Sequence, residues 1–204
     1  MTDQKTGLLP EHIKPTKYIV DLEPDLEKFT FHGKQVIELE ISKPSSSIVL
    51  NSIELTIEPA KITTSSGNIY TSLEPKLDLK EETATFEFTE KIPAGSAQLE
   101  LKFTGLLNDR LRGFYRSKYT DQEGKERYMA STQFEATDAR RAIPCWDEPT
   151  YKSIFEVTLI VPLNLMAVSN MPVAAEESLP NGRKSVRFVP SPLMSTYLLA
   201  FVVG

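Results

Sequence analysis

Gln133 and Glu135 stand two residues apart in the stretch of this sequence densest in side chains that could do chemistry. Residues 131–149 hold four acids (Glu135, Asp138, Asp147, Glu148), the adjacent Arg140 and Arg141, one amide, and the chain's single cysteine and single tryptophan, Cys145 and Trp146. In extended backbone, residues two apart share a face. Gln133 and Glu135 would then present an amide oxygen and a carboxylate side by side, an acceptor pair suited to an ammonium group. Asp138, Arg140, Arg141, Asp147 and Glu148 are able to cross-pair around that spot and hold the segment rigid. On residue types alone, Glu135 fits that ionic network as well as it fits a site.

Other chemistries find less support. The two histidines, His12 and His32, belong to no His-Glu-x-x-His pattern. A catalytic zinc takes three protein ligands in close geometry, and His12, His32 and Cys145 are dispersed, so no metal ligand is assigned in this chain. Cys145 between Pro144 and Trp146 reads as a buried structural thiol rather than a nucleophile. No glycine-rich phosphate loop is present. Arg110, Arg112, Arg116 and Lys118, interleaved with Phe114, Tyr115 and Tyr119, have the composition of a nucleic-acid strip but read as a solvated strand face. The net charge of −5 argues the same way, because nucleic acid demands a basic surface.

The elements that must position the motif are strands. The chain of 204 residues suffices for one large all-β domain or two small ones. Residues 29–42, 83–89, 98–103 and 155–161 alternate apolar and polar side chains, as half-buried strands do. Shorter strands are expected at 18–22, 48–50, 53–58, 114–119, 127–132 and 185–189, with a weaker one at 73–79 around Pro75. Pro10 and Pro15 are read as bracketing an entry segment, and Pro44 with Ser45, Ser46 and Ser47 as a break. Turn chemistry marks 65–68, 92–96, 121–125 and Asn181-Gly182. One short helix is expected at 137–143, capped by Thr137 or Asp138 and stopped by Pro144. The almost wholly apolar run 197–203 predicts a final strand buried on both faces, and suggests a piece of a longer polypeptide. No run approaches the roughly 18 apolar residues of a membrane span, the N-terminus lacks a signal-peptide core, and a lone cysteine cannot form an internal disulfide. A soluble cytoplasmic protein is the expectation.

The run from Thr132 through Gln133-Phe134-Glu135-Ala136 to Asp147-Glu148-Pro149 resembles the signature of the N-terminal domain of zinc aminopeptidases. The branch is the puromycin-sensitive and aminopeptidase N type of the gluzincins, cytosolic fungal enzymes included. Leu9-Pro10, Pro15-Thr16-Lys17-Tyr18, Gly105-Leu106-Leu107-Asn108-Asp109, Gly113-Phe114-Tyr115-Arg116-Ser117 and Met194-Ser195-Thr196-Tyr197 carry the likeness along the whole chain. The resemblance implies a saddle of mostly antiparallel sheets in one all-β domain, 1–204, packing on a thermolysin-like catalytic domain that would begin just after 204. It implies that Glu135 binds the free α-amino group of a peptide substrate, that Gln133 lines the first side-chain pocket, and that the Glu135–Ala136 bond is cis. Zinc would belong to the full-length parent and none to this piece. The family's Gly-x-Met-Glu-Asn loop and zinc helix are missing here, so the piece is expected to fold without hydrolysing peptides. Its partners would be a peptide N-terminus and the missing catalytic domain, with no nucleic acid and no membrane. A second reading is a catalytically dead, aminopeptidase-like scaffold of the transcription-initiation type. A third is a free-standing β-sandwich that binds sugars or peptides.

Overall fold

The structure, a computed structural model, describes residues 8–204. Along the chain come the long strands β1 (Ile13–Asp25) and β2 (Thr30–Ile41), then β3 (Ser45–Asn51), β4 (Leu55–Ile57), β5 (Lys61–Thr64), β6 (Ile69–Thr71) and β7 (Lys76–Asp78). The hairpin strands β8 (Thr83–Ile92) and β9 (Gly95–Leu106) follow, then the hairpin of β10 (Gly113–Thr120) and β11 (Glu126–Gln133). After the motif come β12 (Ile154–Pro162), β13 (Ala167–Ser169), β14 (Val173–Leu179), β15 (Arg183–Phe188) and β16 (Phe201–Val203). They form a nine-stranded sheet, ordered β14-β15-β12-β1-β2-β9-β5-β6 with β4 also on β9, a four-stranded sheet, β10-β11-β16-β13, and a three-stranded sheet, β3-β8-β7. Among the strands of the described residues only β1 and β12 pair in parallel. The expectation of an all-β, mostly antiparallel, multi-sheet fold holds. No helix of the described residues is long and apolar enough to cross a membrane.

The alternation read from 29–42 is the burial pattern of β2, where Phe31, Gly33, Gln35, Ile37, Leu39 and Ile41 are buried and the residues alternating with them are exposed or half-buried. Gly33 and Gly105 are required by sterics. Gly33 pairs with Phe103 and Phe31 with Gly105, and a Cβ on Gly33 would lie 2.2 Å from the Phe103 ring, one on Gly105 2.4 Å from the Phe31 ring. Each ring lies over the glycine opposite. From Phe31 a chain of edge-to-face contacts then leads through Phe114 to Phe201 and Phe134, with centroids 5.2, 4.9 and 5.9 Å apart. That chain ties the nine-stranded sheet to the four-stranded sheet and to the motif.

Four expectations change. Pro15 lies inside β1, buried and opposite Leu39, with a register shift between Pro15 and Lys17 that accommodates its missing N–H. The serines after Pro44 start β3 rather than end the region: Ser45 Oγ donates to Ser47 O across a second shift, 2.7 Å. The helix at 137–143 shrinks to a single 3₁₀ turn, Ala139–Arg141. The run 197–203 divides into a 3₁₀ turn (Thr196–Leu198) and the three residues of β16, and Leu198 is half exposed. There Asn170 takes the place of a ladder, its Nδ2 donating to Leu198 O and its Oδ1 accepting Ala200 N–H, at 2.9 and 2.8 Å. The Asn181-Gly182 hairpin is as expected, with φ of 63° and 70°.

Candidate functional site

The motif begins where β11 ends. Gln133, the last residue of that strand, pairs with Gly113 of β10. The far end of this hairpin is closed by Asp121, whose carboxylate accepts the N–H groups of Glu123 and Lys125 and the Nε–H of Arg127, at 3.0, 2.9 and 3.0 Å. Phe134 then turns inward onto Phe201 and is 2% exposed. Residues 135–138 form a turn closed by Asp138 N–H on Phe134 O, 2.8 Å, and the Glu135–Ala136 peptide bond is cis. Glu135, Ala136 and Thr137 are exposed. The strand rule that would align Gln133 with Glu135 stops at Gln133, because Glu135 sits in the turn. The two side chains are exposed on either side of buried Phe134. Neither makes a hydrogen bond or ion pair to any of the described residues.

The rest of the motif is ionic and closed. Asp138 is 6% exposed. Its Oδ1 accepts from Arg141 Nε at 2.7 Å and Arg112 Nη2 at 3.0 Å, and its Oδ2 from Arg112 Nε at 3.1 Å. Arg141 continues to Glu54 at 2.9 Å and Glu82 at 3.7 Å. Arg140 donates to Glu82 and to Asp147, both at 3.0 Å. The second oxygen of Asp147 accepts from Thr196 Oγ1 at 2.7 Å, and its N–H donates to Asn51 Oδ1 at 3.0 Å. Glu148 stands outside this web, accepting the N–H of Leu9 at 2.7 Å. Beneath it, Gln35 Nε2 donates to Pro144 O at 2.7 Å and Trp146 N–H to the Tyr18 hydroxyl at 3.1 Å.

Backbone geometry delivers the outlying acids. Glu54 and Glu82 have φ of 60° and 52°, a region non-glycine residues rarely occupy. Each projects its carboxylate onto Arg141, and Glu82 onto Arg140 as well. Gly113, at φ 66°, meets the same arginine, since a Cβ there would lie 2.6 Å from Arg141 Cβ. Burial pushes the Asp138 carboxyl up, but the bonds and charges of Arg112 and Arg141 outweigh it and hold the group below the usual carboxylate range. Glu54 is depressed likewise, burial being outweighed by Arg110 and Arg141. Burial, then the nearby Asp147 charge, push the Cys145 thiol well up. Cys145 is fully buried, as a structural thiol is.

Sequence reading found the motif's own acids and arginines but not their partners. Arg112, read as part of a solvated face, is a half-exposed ligand of Asp138. Arg116 stacks on Phe29 with its guanidinium carbon 4.5 Å from the ring centroid. Glu54, Glu82, Asn51 and Thr196 come from distant segments with no local pattern to announce them. His32 is exposed and Cys145 buried, and among the described residues no three His, Cys, Asp or Glu side chains are grouped to hold a metal. The described residues therefore do not fit a zinc ion.

The family model of the peptidase M1 N-terminal domain matches residues 14–198. Aminopeptidase 2 of Candida albicans is 42% identical over 98% of this chain and 21% of its own length. The puromycin-sensitive aminopeptidase of Caenorhabditis elegans is 44% identical over 96% of the chain and 21% of its own length. Aminopeptidase M1 of Arabidopsis thaliana is 44% identical over 96% and 22%. The chain spans about a fifth of the length of these curated relatives.

Proposed function

The chain belongs to the peptidase M1 N-terminal domain family, and on that ground we propose that it is the substrate-anchoring domain of a zinc-dependent aminopeptidase. Glu135 receives the protonated α-amino group of a peptide, and Gln133 borders the first side-chain pocket. A fixed carboxylate facing an ammonium makes a charge-assisted bond. An internal peptide bond offers no such cation, so the contact selects chain ends. The parent's remaining polypeptide supplies the zinc and the water it activates, and this domain alone does not hydrolyse peptides. The parent works in the cytoplasm.

One observation carries the reading. Of the four acids in the motif, Asp138, Asp147 and Glu148 are each engaged, whereas Glu135 is exposed with no partner among the described residues. A carboxylate that served only the ionic web would be expected to join it. This chain also offers a face on which such a partner domain would sit. On the four-stranded sheet, Tyr115, Ser131, Val202 and Val168 stand in one cross-strand row. Strand alternation places Met129, Ser131 and Gln133 on the same side. Met166, Val168 and Tyr119 are 69, 48 and 41% exposed there, around a shallow depression of about 190 Å³. A face of uncharged side chains from Tyr119 and Met129 to Gln133, with Arg127 paired to Asp121 at its far end, suits a catalytic domain that must bring its zinc beside Glu135.

In the full-length polypeptide, Glu135→Gln is expected to lower kcat/KM for unblocked aminoacyl substrates about 10- to 100-fold, the size of a charge-assisted bond. Glu135→Ala should do at least as much. Wild-type kinetics in both variants would remove Glu135 from the site. A full-length protein with no zinc-dependent peptidase activity would favour the scaffold reading instead.

A further inference from the structure

We infer that Asp138 is a positioning residue for Glu135, an inference that rests on the anchoring role proposed above. The turn carrying Glu135 has two fixed ends and a free middle. At one end Phe134 is buried against Phe201. At the other, Asp138 donates its N–H to Phe134 O and receives three bonds from Arg112 and Arg141, at 3.1, 3.0 and 2.7 Å. Between them Glu135, Ala136 and Thr137 are exposed, and no side chain of the three has a partner among the described residues. The place of the Glu135 carboxylate is therefore set by its two anchors rather than by contacts of its own.

Asp138 is also used unusually for its place in the chain. It precedes a 3₁₀ turn, where an aspartate commonly accepts a backbone N–H of the following turn, yet it makes no such bond. Its acceptors go instead to two guanidinium groups from different elements. Arg112 immediately precedes β10, and Arg141 closes the 3₁₀ turn and is itself held by Glu54 at 2.9 Å. Gly113, next to Arg112, leaves room for Arg141 and pairs with Gln133. One carboxylate thus joins the start of β10, whose Gly113 pairs with Gln133, to the turn that holds Glu135. It fixes the geometry of both without touching a substrate.

A double-mutant cycle in the full-length enzyme tests this, with kcat and KM measured separately on an unblocked aminoacyl substrate. Asp138→Asn, which keeps the shape and removes the charge, is expected to lower kcat/KM about 10-fold, mainly through KM. In the Glu135→Gln background the same change should alter kcat/KM less than about 2-fold. Arg112→Ala, at a half-exposed position, is expected to give a smaller loss with the same dependence on Glu135, and it serves if Asp138→Asn does not fold. Equal losses in both backgrounds, or no loss in either, would overturn the inference while leaving Glu135 as the anchor. An unimpaired Glu135→Gln single variant would overturn the anchoring role itself, and this inference with it.

Discussion

Within one motif, residues 133–137 and residues 138–149 treat charge in opposite ways. The first part leaves an amide and a carboxylate exposed, with no partners among the described residues. In the second, Asp138 and Asp147 are buried, and each accepts several charge-assisted bonds. Isolated burial of such carboxylates would be costly, and the arginines offset it only because their geometry is good and Thr196 donates to the second oxygen of Asp147, whose backbone N–H is held by Asn51. Density of charge in a sequence therefore does not mark a site by itself. The proposed site is the charge left over once the framework has been satisfied.

The contrast breaks most visibly at Asp147. Its side chain is 1% exposed and that of Arg140 11%, so Asp147→Ala takes one of two carboxylates from a largely buried guanidinium, leaving Glu82 as the other, and leaves the Thr196 hydroxyl without its acceptor. It is expected to cost about 3–5 kcal/mol of stability, measured by denaturant unfolding. Glu135→Gln in the same assay should stay within about 0.5 kcal/mol of wild type. Comparable losses in the two variants would erase the distinction between framework and site.

Acid sharpens the contrast further. Asp138 and Glu54 have carboxyls held below their ordinary values in the fold by the arginines around them, against the upward push of burial. A depressed folded value means the stabilisation is fully present above the unfolded value near pH 4 and is lost as pH falls through the folded value. Thermal unfolding followed downward from pH 5 should show Tm falling most steeply below about pH 4. Asp138→Asn should flatten that fall, and an unchanged slope would show that the ion pairs of Asp138 do not couple to folding.

The same contrast governs what the sequence disclosed. Alternation over residues 29–42 and 98–103 gave β2 and β9 because each buries one face along its length. β5 is four residues, Lys61–Thr64, held in place by pairing with β9, and a run so short has no period of its own. Residues 197–203 read as one strand because apolar content does not reveal that Asn170 captures their backbone. In the site, Gln133, Glu135, Asp138, Arg140, Arg141 and Asp147 are adjacent in sequence and could be named. Glu54 and Glu82 reach the arginine pair from backbone at positive φ, which no composition announces. Arg112 looked solvated because half of it is.

The central claim concerns one carboxylate and one amine, and inhibition by a matched pair of ligands addresses it directly. A dipeptide and its des-amino analogue, differing only in the α-ammonium, are compared on the full-length wild-type protein and on Glu135→Gln. The dipeptide should bind wild type about 10- to 100-fold more tightly than the analogue, and most of that preference should vanish in Glu135→Gln. A preference that survives the substitution undiminished would place the ammonium elsewhere and contradict the account.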